Sequence, residues 1–183
     1  MIKKITFVLA FVLLCSGCVF GSRKIVKNSP LGAPLIGKVL KSEGIKQGGN
    51  IAVFPFRAGV GAQAGERLDK VSLMIVKGLA DYLDGQGASF KVLDSEHADQ
   101  ADFILEGFIE DLKEPSKVRK AVLLRKNASL KISADMRKIK SHERVILFAR
   151  QKTIHLKHGD VFDLGYQIGQ EMGRFLAEQT AVK

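Results

Sequence analysis

Apolar and polar positions between residues 50 and 180 follow two periods in turn. "IAVFPF" at 51–56 is a short, β-rich apolar run ended by Pro55, and it reads as a buried strand. The glycine-rich "RAGVGAQAG" that follows reads as a surface loop. From Glu66 to Leu83, the residues Leu68, Val71, Ile75, Leu79 and Leu83 recur at helical spacing, which predicts an amphipathic helix. "DGQG" at 84–87 stops it, with Gly85 or Gly87 available for left-handed backbone angles. "ASFKVLD" at 88–94 predicts a second strand, and Ser95 is placed as the N-cap of a short turn. "DFILEGFIEDL" at 102–112 predicts a third strand, bent or bulged at Gly107.

The pattern then changes. Residues 113–127 form a basic connection. In "ASLKISADMRKI" the apolar Leu130, Ile132, Ala134 and Met136 alternate with Lys131, Ser133, Asp135 and Arg137, as a half-buried strand does. "KSHE" at 140–143 is a turn, and residues 144–156 pair back as the second arm of a hairpin. A final helix follows, with Val161, Leu164, Ile168, Met172, Phe175 and Leu176 as its apolar stripe. Gly165, Gly169 and Gly173 repeat in that helix at a cost of about 1 kcal/mol each relative to Ala. Such a stripe predicts close packing against the sheet, with another helix or an oligomer contact as the alternatives. The element order is β-α-β-(α)-β-β-β-α. This is an α+β domain, with a mixed sheet of about five strands and two main helices on one or both of its faces.

Residues 1–49 lack a sustained period. Lys3 and Lys4 precede an apolar run from Ile5 to Leu14, too short to span a bilayer and typical of a secretory leader. The chain's two cysteines, Cys15 and Cys18, follow it as C-x-x-C. A redox pair needs a βαβ setting, and a zinc site needs four ligands; neither is present in the sequence. "Cys15-Ser16-Gly17-Cys18" instead resembles the lipobox of bacterial lipoproteins, with Cys15 where Leu is usual. The resemblance implies a signal peptide over 1–17 and a diacylglycerol and N-acyl chain on Cys18. It also implies that residues 18–49 tether a domain at 50–180, spanning roughly 30 Å as a flexible coil. Leu35, Ile36, Val39 and Leu40 form a candidate docking segment within that tether.

Charge and candidate chemistry refine this picture. Lys and Arg number 29 against 19 Asp and Glu, a formal charge of +10. Export argues against nucleic acid as the partner and leaves anionic envelope surfaces. The candidate interaction surface is the basic stretch with Lys113, Lys117, Arg119, Lys120, Arg125 and Lys126. Gly59, Gly61 and Gly65, with Asp94 at the end of the next strand, imitate a dinucleotide-binding unit. His155 and His158, with Asp160 and Asp163 behind them, imitate a zinc site. On a strand the two rings would point to opposite faces, and Asp160 fits a helix N-cap better. No nucleophile elbow, P-loop or H-E-x-x-H occurs in the sequence. The expectation is therefore a non-enzyme with no metal or cofactor beyond its lipid.

The order of these segments resembles the periplasmic α/β domain of several envelope lipoproteins: the curli-secretion (CsgG-type) lipoprotein, the activator of penicillin-binding proteins, and the TolB N-terminal domain. The matching residues are Ala101-Asp102 to Gly107 and Asp135-Met136-Arg137, while Lys140-Ser141-His142-Glu143 replaces the usual Thr-Gly turn. The resemblance implies an outer-membrane anchor, favoured also by Val19 in place of Asp, and a domain that faces the periplasm. It implies action through an envelope protein partner in assembly or cell-wall regulation. An oligomeric assembly component is the second reading, and a nucleotide or metal binder the third.

Overall fold

The computed structural model describes residues 36–114 and 127–181. Seven strands and two helices occur there: β1 (Ile36–Val39), β2 (Gly49–Val53), β3 (Arg57–Gly61), α1 (Glu66–Gly85), β4 (Phe90–Leu93), a 3-10 turn (Ser95–Gln100), β5 (Phe103–Lys113), β6 (Asn127–Lys138), β7 (Arg144–His155) and α2 (Val161–Ala181). The sheet is open and mixed, in the order β1-β7-β6-β5-β2-β4. β2 runs parallel to β4 and β5, while β5, β6, β7 and β1 pair antiparallel in succession. The predicted α+β class is thus the observed one. Two strands were hidden in stretches read as tether and loop.

β3 forms because β5 is long. β2 pairs with Phe103–Leu105, and β3 takes the same edge of β5 further on, at Phe108 to Asp111. Between them, the Phe54 N–H still donates to the Leu105 carbonyl at 3.0 Å. Pro55 has no N–H to give, and the Phe56 N–H turns away to the buried Ser72 hydroxyl of α1 at 2.6 Å. One edge is therefore served by two short strands with a proline break. Phe56 folds over Gly107, where a Cβ would lie 2.3 Å from its ring. That close approach is what Gly107 is for, and the bulge of β5 falls between Ile109 and Asp111 instead.

β1 lies in the segment expected to be tether. It pairs with β7 from Ile36↔Ala149 to Val39↔Ile146, and Ile45 beyond it is 1% exposed. Four residues, of which Val39 packs half-buried against the core, give no readable period, so only the pairing reveals the strand.

Both helices cover one face of the sheet. Leu68, Val71, Ile75, Leu79 and Leu83 of α1, and Val161, Leu164, Ile168, Met172 and Leu176 of α2, are all buried, as their stripes predict. They meet Leu105 and Ile109 of β5, Leu130, Ile132 and Met136 of β6, and Ile146 and Phe148 of β7 in a single core. The glycine stripe of α2 faces α1, not the sheet. Gly165 lies against Val71, Gly169 against Ile75 and Leu79, and Gly173 against Leu79 and Tyr82, while Gly78 of α1 lies against Tyr166. The contacts advance together along both chains, so the two helices run parallel. Among the described residues the 3-10 turn covers the other face of β2 and β4, where Ala52 is fully buried and Asn50 Nδ2 donates to the Gln100 carbonyl at 3.1 Å.

Helix ends follow local rules. Gly87 (φ 59°) closes α1 with the Ala88 N–H bonded to Leu83 O at 3.1 Å, a Schellman ending. Asp160 caps α2, accepting from the N–H groups of Phe162 at 2.8 Å and Asp163 at 3.2 Å, while the Asp163 carboxylate accepts from the Asp160 N–H at 2.8 Å. The 3-10 turn is capped by Asp94, which accepts from the His97 N–H, and not by Ser95, one residue later.

Candidate functional site

The residues with the chemistry expected at a site are dispersed by the fold. Cys18 lies outside the described residues, as do Lys117, Arg119, Lys120, Arg125 and Lys126. Of the basic stretch only Lys113 is placed, exposed at the end of β5 and ion-paired with Asp111.

The glycine loop does not become a phosphate cradle. Gly59 and Gly61 belong to β3, and a Cβ at 59 would lie 3.0 Å from the Glu110 Cα. Their missing side chains let the strand approach β5. Gly65 precedes α1, whose first turn carries Glu66 and Asp69. Those carboxylates already occupy the positive end of the helix dipole, where a pyrophosphate would have to sit. The adjoining cleft of about 490 Å³ is walled by Glu66 and by Glu114, which Arg67 holds at 2.7 Å. Asp94 points at His97, with Oδ1 2.6 Å from Nδ1.

His155 ends β7 and His158 stands in the turn after it, their rings 6.0 Å apart. The His155 Nδ1 accepts from the Lys157 N–H at 3.2 Å, and Asp160 and Asp163 are engaged at the start of α2. Among the described residues no three His, Cys, Asp or Glu side chains converge as metal ligands.

Two ionic groups remain, and periodicity missed both. On the helix-covered face, Arg150 of β7 is buried, its side chain 2% exposed. Its Nε lies 2.8 Å from Glu171 Oε2 of α2, and its Nη2 donates to Oε1 at 3.1 Å. Lys152 reaches the same Oε1 at 3.0 Å. Arg150 and Lys152 continue the inward alternation of Ile146 and Phe148, so a strict reading of the pattern would have flagged two cations at core positions. On the open face, Arg137 grips Asp135 (Nε–Oδ2 2.6 Å), Arg144 adds a second contact to it at 3.0 Å, and Glu106 joins Arg57 at 3.6 Å. The Asp135 bond, first among the causes, raises the Arg137 pKa above its usual value. The motif residues of the envelope-domain resemblance are accounted for in this way. Asp135 and Arg137 bind each other across one strand face, Asp102 accepts from the Asn50 N–H at 3.0 Å to start β2, and Gly107 seats Phe56.

Charge is distributed unevenly. The described residues hold all nineteen acids but only eighteen of the Lys and Arg residues, so their net charge is about neutral. The remaining bases lie at 1–35, 115–126 and Lys183. Within the domain, residues 49–114 carry twelve acids and six bases, whereas 36–48 and 127–181 together carry seven acids and twelve bases. The sheet order places these two sets on opposite sides.

Such a molecule is a two-layer α+β domain: an open mixed sheet with two parallel helices on one face. No protein-family model matches the chain, and no curated protein matches it by sequence. Solved structures do. PelC from Paraburkholderia phytofirmans, a dodecamer, shares the fold in two crystal forms. One, of a point variant, aligns at 10% identity and TM-score 0.56 over 78% of this chain and 98% of that one. The other aligns at 10% identity and TM-score 0.55 over 81% and 98%. A candidate lipoprotein from Caulobacter crescentus aligns at 12% identity and TM-score 0.42 over 78% and 96%.

Proposed function

We propose that this chain is a lipid-anchored protein of the bacterial cell envelope. In this reading its domain works by protein contact, not catalysis, and assembles with copies of itself. The supporting observation is the fold shared with PelC, which crystallises as a dodecamer. The lipobox-like "Cys15-Ser16-Gly17-Cys18" supplies the anchor, and no helix among the described residues is long and apolar enough to cross a membrane. The outer membrane is the assigned site and the periplasm the compartment of the domain, on the strength of Val19 after the anchor. An envelope protein partner is the second component of this reading.

Sedimentation of the detergent-solubilised full chain tests the assembly. A particle of several copies is expected, and a monomer across micromolar concentrations overturns it. Labelling with radioactive palmitate tests the anchor: Cys18→Ala abolishes incorporation and Cys15→Leu leaves it intact. Loss of label in the Cys15 variant alone would move the anchor. Crosslinking in intact cells followed by pull-down names the partner.

A further inference from the structure

The strands at the two ends of the sheet, β1 and β4, have no partner on their outer sides among the described residues. Each has four residues. Around β4 the surface is acidic: Asp81 and Asp84 stand near the end of α1, and Asp94, Glu96 and Asp99 at the 3-10 turn, with Lys91 the single Lys or Arg from 81 to 100 and His97 paired with Asp94. Around β1 it is basic. Lys38 projects from the strand, Lys41 follows it, and Lys140 and Arg144 stand on the adjoining β6–β7 hairpin. Glu43 and Glu143 are the acids of that stretch; Glu143 pairs with Lys41 and feels the charge of Lys138, Arg144 is held by Asp135, and Lys38 and Lys140 keep the balance positive, with Leu40 beside them 40% exposed.

We propose that copies of this chain join head to tail, the acidic β4 edge of one against the basic β1 edge of the next. This rests on the reading that the domain self-assembles, and it names the surface. Three observations support the second copy as occupant. Both halves of the complementary charge reside on one chain, so no other partner is required to match them. The edges lie at opposite ends of one sheet, and a contact between unlike patches is heterologous, which closes into a ring or grows as a filament. Strand direction also fits: β1 runs antiparallel to β7, which runs parallel to β5 and β4. Continuing the sheet from β4 onto the next copy's β1 therefore gives an antiparallel pair. A two-fold contact would instead set acid on acid or base on base, which costs several kcal/mol.

The test uses the detergent-solubilised full chain and two charge-reversed variants at exposed positions. Lys38→Glu with Lys140→Glu makes both edges acidic. Asp84→Lys with Glu96→Lys and Asp99→Lys makes both basic, since two acids then face four bases around β4. Each variant alone should self-associate on the order of a hundredfold more weakly than wild type, as the like-charge cost implies. An equal mixture should recover the wild-type particle, because every contact then joins unlike charges. Circular dichroism of each variant checks that it is folded. Rising salt should dissociate the wild type, since screening reaches about 10 Å at 0.1 M. Variants that keep the wild-type size, or a mixture that stays dissociated, overturn the edge assignment and leave self-assembly standing. A wild-type monomer overturns the underlying reading instead.

Discussion

Gly169 of α2 lies backbone to backbone against Ile75 of α1, so close that a Cβ added at 169 would sit 2.1 Å from the Ile75 carbonyl oxygen. No flexible side chain is there to give way. Gly169→Ala gains about 1 kcal/mol of helix propensity but must push two helix backbones apart. A net loss of about 1–3 kcal/mol is expected, read as a lower urea midpoint. Gly85→Ala, in the last turn of α1 where the added methyl meets nothing within 4 Å, is the control and should not destabilise.

Glu171 neutralises two cations at once, and Arg150 Nη1 has no acceptor among the described residues. Glu171→Gln leaves Arg150 charged and buried, so it should cost about 3–5 kcal/mol. Replacing Arg150, Lys152 and Glu171 together by Met should cost far less, because no buried charge is then uncompensated. Denaturant melts of the two variants check this; equal losses would show that the group acts only by packing.

Periodicity found both helices and the long strands, because each presents a full face to one core: Leu68 through Leu83 on α1, and Leu130 through Met136 on β6. It did not find β1 or β3. β1 buries too little in four residues, and the glycines of β3 look like a loop until β5 is seen running past them. The glycine stripe of α2 announced close packing but not its object, since spacing cannot distinguish a sheet from a neighbouring helix. The candidate site was the least legible. Unlike charges meet across the sheet only after folding, and of the basic stretch chosen from the sequence, Lys113 to Lys126, only Lys113 and Glu114 fall among the described residues.

His97 and Asp94 form an exposed pair on the 3-10 turn. The hydrogen bond that the His97 ring donates to the Asp94 carboxylate, with that group's negative charge, raises the His97 pKa above 6.5, and the same contact lowers that of Asp94 below 3.8. The histidine contribution is therefore complete below about pH 6.5 and is lost as pH rises through the raised value. The aspartate contribution is complete above about pH 4 and is lost as pH falls through the lowered one. The turn should be best ordered between those limits. An NMR titration of the His97 ring in wild type and in Asp94→Asn checks this: the variant's midpoint should fall back toward 6.5. An unchanged midpoint would show that Asp94 does not hold the ring.

Asp160 holds two N–H groups at the start of α2. Asp160→Ala should cost about 0.5–2 kcal/mol, and Asp160→Asn, which keeps the acceptor, much less. Adding zinc should leave the melting temperature of the wild type unchanged, because the carboxylates near His155 and His158 are engaged at the helix start. A rise on zinc addition would return those histidines to the list of ligands.

The near-neutral body of the domain has a practical corollary. A cation-exchange resin, or any anionic surface, would hold this chain by the lysines and arginines at 1–35 and 115–126. The described residues, with nineteen acids and eighteen Lys and Arg residues, would by themselves give it no grip, although the chain's composition gives an isoelectric point near 9.7.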